Sequence, residues 1–98
     1  MTWDEAERLL RELRRRPPIY KLLEQTCRDN AVLPAEVIGA RRTKAVARVR
    51  RHLQLAIRQE YGLSYPEIAR LFGGHHTTIM HNVRVAKAER RACFEVSP

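Results

Sequence analysis

Apolar residues recur at intervals of three and four along most of this chain, a spacing that predicts helices rather than strands. Trp3, Ala6, Leu9, Leu10 and Leu13 form one stripe and predict an amphipathic helix running to about Arg16. Thr2 with Glu5 fits a capping box, and Asp4 and Glu5 suit the positive end of the helix dipole. Pro17 and Pro18 stop this helix and open a second, which carries Ile19, Leu22, Leu23 and Thr26 inward as far as Asp29 or Asn30. Pro34 starts a short helical turn through Val37 and Ile38, and Gly39 ends it. From about Lys44 to Tyr61 the residues Val46, Val49, Leu53, Ala56 and Ile57 keep the helical period, with arginines between them and Gly62 as a C-terminal stop. No segment alternates with β-branched and aromatic enrichment, so the expected class is all-α.

The next stretch carries the strongest local signals. Ser64 and Glu67 make a capping box, Pro66 is tolerated in the first turn, and Leu63 and Ile68 occupy the flanking hydrophobic staple. Tyr65, Ile68, Ala69 and Phe72 then share a face for about two turns, until Gly73 and Gly74, both able to adopt the positive φ of a sharp reversal. A final helix follows with Ile79, Val83 and Ala86 inward and Thr77, His81 and Arg84 outward. A short helix, a glycine turn and a second helix with a small, polar outer face predict a helix-turn-helix within a small helical bundle.

Composition narrows the role. Ninety-eight residues make one small domain, and 44% apolar with 6% aromatic residues is enough for one modest core. An apolar run of about 18 residues and a signal-peptide pattern are both absent, so a cytoplasmic protein is expected, without a membrane partner. Cys27 and Cys93 form no C-x-x-C pair and are read as ordinary thiols. The formal charge of +8 is concentrated in one place. Residues 1–36 hold seven basic and seven acidic side chains, and residues 60–98 hold five and four. Residues 37–59 contain Arg41, Arg42, Lys44, Arg48, Arg50, Arg51 and Arg58 and no Asp or Glu. A solvated face normally mixes signs, and guanidinium groups suit phosphate oxygens, so the expected partner is a polyanion, with nucleic acid ahead of a membrane surface.

The segments Ser64 to Ala69, Phe72-Gly73-Gly74, and His76-Thr77-Thr78-Ile79 with His81 resemble the signature of the C-terminal DNA-binding domain of bacterial DnaA replication initiators. Upstream, Ala40 to Arg48 resembles that family's basic loop and the start of its long helix, so the resemblance covers about residues 19 to 87. It implies a Trp-repressor-like domain, expected over residues 17–98, and the amphipathic helix read over residues 1–16 is expected to be packed on it or appended to it. It also implies Arg42 in the minor groove with Arg41 and Lys44 beside it, where a narrow groove's negative potential favours cations. Arg50, Arg51 and Arg58 match phosphate contacts on the long helix. Tyr65 and Pro66 match residues that touch the backbone. His76, Thr77 and Thr78 match the major-groove readers, and His75 and His81 are expected at the major groove with them.

Two departures qualify the resemblance. The family usually has a basic residue and an Asp ahead of its His-Thr-Thr run, where this chain has His75 alone, so a recognition sequence different from the family's is expected. The chain also has no G-x-x-x-x-G-K-[ST] loop, and a stand-alone double-stranded DNA binder without the ATPase module, acting in replication control or transcription regulation, is expected.

Plainer readings stand beside these. The four histidines lack a cysteine or carboxylate at zinc-ligand spacing, and no metal or other cofactor is expected. His81 is equally a packed or water-facing histidine and a DNA contact. The Leu9, Leu10 and Leu13 stripe reads as core, with a partner or dimer seam as the alternative. No catalytic set stands out, so neither an enzyme nor a small-molecule substrate is expected. The runner-up function is a small adaptor whose N-terminal helix recruits a protein partner, with DNA affinity as a tether. Structured RNA shares the charge argument but hides the edge a major-groove reader needs.

Overall fold

The computed structural model describes residues 3–38 and 43–96, with side chains as far as Ala92. Among these residues there are six helices and no strand: α1 Trp3–Leu13, α2 Pro17–Asp29, α3 Pro34–Ile38, α4 Lys44–Tyr61, α5 Tyr65–Phe72 and α6 His76–Val96. The expected Thr2 cap and the Gly39 stop lie outside the described residues.

The first helix is shorter than its stripe suggests. It ends at Leu13, and Arg15 and Arg16 close it with tight bonds from their N–H groups to the carbonyls of Glu12 and Leu13. The cause is Pro17, whose ring pushes the preceding residue out of the helical region; Arg16 sits at φ −120°, ψ 76°. Ala6 and Leu13 are buried in the same core as the other helices, and Leu9 and Leu10 pack against it, so α1 is part of the bundle. Trp3 remains more than half exposed.

α2 ends in a way the sequence does not advertise. Val32 N–H bonds the Cys27 carbonyl and Ala31 N–H bonds that of Arg28, a Schellman closure that places Ala31 at φ 55°. A Cβ is unfavourable there. Ala31→Gly is expected to stabilise the fold by about 0.5 to 1 kcal/mol, read as a higher urea midpoint at unchanged m-value. Cys27, on the same turn, is buried, and desolvation pushes its thiol up to about 11, which leaves no nucleophile at neutral pH.

α4 is the central helix. Thr43 caps it through a bond from Val46 N–H, and Gly62 ends it at φ 64°. Val46, Val49, Leu53 and Ile57 are buried as their period predicts, with Ala56 only half-buried, but Gln54 and Leu55 are buried too. A single amphipathic stripe therefore understates the contact, because α2 and α3 cover one side of α4 while α5 and α6 cover another. Gln54, a buried polar residue, accepts a 2.9 Å bond from Asn82 Nδ2 of α6 and so keeps its oxygen satisfied.

Candidate nucleic-acid interface

The turn between α5 and α6 is set by local chemistry at both ends. Ser64 accepts from Glu67 N–H while the Glu67 carboxylate accepts from Ser64, both by its hydroxyl at 2.9 Å and by its N–H at 3.3 Å. Those bonds, the Ser64 hydroxyl first, hold the Glu67 carboxyl below its usual range. α5 stops at Gly73, which alone takes the positive φ, 71°; Gly74 does not, and its N–H instead closes onto the Ala69 carbonyl. His75 follows in the N-cap position of α6, its carbonyl accepting from Thr78 and Ile79 N–H.

His75 also caps with its side chain. Thr77 N–H points at Nδ1 over 3.3 Å, and Thr77 Oγ1 lies 2.8 Å from the same nitrogen. The His76 ring lies beside it, centroids 4.5 Å apart. Ile79, Val83 and Ala86 are buried, as the period of the final helix predicts, which leaves His75, His76, Thr77, Thr78 and His81 exposed at one tip.

The arginines of α4 divide into three groups. Arg50 turns inward: its Nε donates to the Val37 carbonyl at 2.6 Å and its Nη2 to the Glu36 carbonyl at 3.0 Å. Its guanidinium ties α3 to α4 and is half-buried. Arg51 donates two bonds, 2.8 and 3.1 Å, to Oε1 of Glu89 on α6, and Arg48 lies 3.4 Å from the other oxygen. These contacts, the Arg51 bond first, hold the Glu89 carboxyl low. His52 Nε2 is 3.6 Å from the same carboxylate, too long for a hydrogen bond, and its burial lowers its pKa. Arg58 donates to the Leu63 carbonyl at 2.7 Å and lies over the Tyr65 ring at 4.2 Å. Lys44 is exposed on the first turn of α4, while Arg41 and Arg42 lie outside the described residues.

Geometry joins the tip of α6 to positive charge by a route the α4 run does not suggest. Tyr65, Met80, Val83, Arg84 and Lys87 line one shallow hollow beside α5, with Arg58 stacked on Tyr65. Arg84 and Lys87 are exposed and fall on the same stripe of α6 as Thr77 and His81. Neither stood out by charge, since residues 60–98 are nearly balanced, but positions 77, 81, 84 and 87 already share a helical face. Pro66 is exposed at the first turn of α5, next to Tyr65. No helix among the described residues is long and apolar enough to cross a membrane.

Comparison with known proteins identifies the family. A family model described as the bacterial dnaA protein helix-turn-helix matches residues 19–85. The chromosomal replication initiator protein DnaA of Caulobacter vibrioides is 37% identical over 95 residues, which is 92% of this chain and 19% of that protein. DnaA of Sphingopyxis alaskensis is 33% identical over 94 residues, 95% of this chain and 21% of the relative. DnaA of Cereibacter sphaeroides is 35% identical over 77 residues, 78% of this chain and 17% of the relative. The chain thus spans about a fifth of the length of the curated relatives it matches. No solved structure matches it.

Proposed function

The chain belongs to the bacterial DnaA helix-turn-helix family, and on that premise we propose that it binds duplex DNA with sequence preference, the tip of α6 in the major groove and the basic loop at Arg41 and Arg42 in the minor groove. The observation that carries this reading is the shared face of α6: Thr77 and His81 lead directly to Arg84 and Lys87 around Tyr65. Lengths favour it. At about 1.5 Å rise per residue, Arg84 and Lys87 stand about 10 and 15 Å along the helix from Thr77. A major groove is about 12 Å wide, so a helix that reads bases with its first turn brings those two cations to the phosphates at the groove's border.

Phosphate contacts then fall to Lys44, Arg58, Arg84, Lys87 and the α5 start at Tyr65 and Pro66, with Arg51 available only if Glu89 releases it. Arg50 serves the fold instead. Base reading falls to His76, Thr77, Thr78 and His81, with His75 beside them. In this reading the protein acts on the nucleoid, in replication control or transcription regulation. Selection from a random duplex pool is expected to return a preferred sequence for which duplex RNA does not compete, because A-form geometry hides the edges that α6 would read. Thr78→Ala should relax preference at one or two base pairs by about 1 to 3 kcal/mol each. Equal binding to duplex DNA and RNA, or specificity untouched by Thr78→Ala, overturns the groove assignment.

A further inference from the structure

The cap at the start of α6 constrains a proton. A backbone N–H can only donate, so the bond from Thr77 N–H makes His75 Nδ1 a bare acceptor. The hydroxyl of Thr77, 2.8 Å from that same nitrogen, can bond it only by donating its hydrogen. Thr77 Oγ1 is then left with lone pairs alone. The neighbouring His76 ring, tilted by 31° against His75, helps hold the imidazole in this orientation.

We propose that His75 fixes the hydrogen-bond polarity of Thr77, so that Thr77 meets DNA as an acceptor and takes an exocyclic amino group, adenine N6 or cytosine N4. The inference rests on the proposed placement of the α6 tip in the major groove. There the donors are those amino groups, while guanine N7 and O6, adenine N7 and thymine O4 are acceptors that a spent hydroxyl cannot serve. His75 is a positioning residue in this scheme. Its single acceptor nitrogen is used inside the helix, so it offers none to a cytosine, and the acceptor role passes to Thr77.

Deleting single functional groups from the selected duplex tests this. Purine in place of an adenine, or 2-pyrimidinone in place of a cytosine, removes the amino group, and 7-deazapurines or analogues lacking O6 or O4 remove acceptors. Each duplex is titrated by fluorescence anisotropy against the wild type and Thr77→Val. Amino deletion at one position should weaken wild-type binding about three- to tenfold, the value of one neutral hydrogen bond, and should weaken Thr77→Val no further than that substitution already does. His75→Ala frees the hydroxyl and should lower the amino-deletion penalty. His75→Asn, whose side-chain oxygen can accept the same two bonds, should keep it. Coupling of Thr77 to a deleted N7, O6 or O4 overturns the polarity while leaving the groove placement intact. Coupling to no major-groove group, with binding retained, removes the placement and the inference together.

Discussion

Replacing Arg50 with alanine is expected to cost the fold about 2 to 4 kcal/mol while leaving the DNA affinity of the folded protein nearly unchanged. Two charge-assisted bonds, to the carbonyls of Glu36 and Val37, would be lost together, and both acceptors sit in the last turn of the five-residue α3, whose Val37 and Ile38 are buried in the core. A small domain holds about 5 to 15 kcal/mol in all, so this loss takes a large share of the total. Arg50→Lys should recover little, since an ammonium cannot span two carbonyls as a planar guanidinium does. Urea unfolding gives the first number. Anisotropy under conditions where both variants are folded gives the second. A phosphate-binding Arg50 would produce the reverse pattern, with stability retained and affinity reduced at every sequence.

That contrast shows where the chain's grammar is readable and where it stops. Signals that act within one turn were legible: the Ser64 and Glu67 box, the Gly62 and Gly73 stops, and the Ile79, Val83 and Ala86 face. Each depends on residues at most a few positions apart, so their identities suffice. The use of charge was less legible. Residues 37–59 read as one free basic surface, yet Arg50 serves carbonyls 13 and 14 positions earlier, and Arg51 serves Glu89, 38 positions later. A guanidinium's partner is decided by which acceptors the folded helices bring to it, and composition does not carry that information. The burial of Gln54 against Asn82 and the left-handed Ala31 were hidden for the same reason, because both follow from how helices cross and close. At the candidate interface the exposed tip from His75 to His81 was visible in the motif. The cations that extend it, Arg84 and Lys87, lay in the charge-balanced part of the chain.

The redistribution of charge fixes the expected salt dependence of binding. Lys44, Arg58, Arg84 and Lys87 are the cations assigned to phosphates, and Arg41 and Arg42 in the minor groove add two more neutralising charges, whereas Arg48 and Arg51 are held by Glu89. At about 0.9 per phosphate neutralised, log K should fall against log salt with a slope of about −5, and affinity should drop about a thousandfold between 50 and 200 mM. The slope also reports on Glu89. If DNA draws Arg48 and Arg51 away from it, two further phosphates join and the slope steepens to about −7; Glu89→Gln would then change affinity more than slope. Removing charge by Arg84→Ala and Lys87→Ala together should flatten the wild-type slope by about 2 and weaken all sequences alike, because phosphates carry no base identity. A slope near zero, or one that the double substitution leaves unchanged, would mean that α6 does not lie along the groove with its outer face toward the backbone.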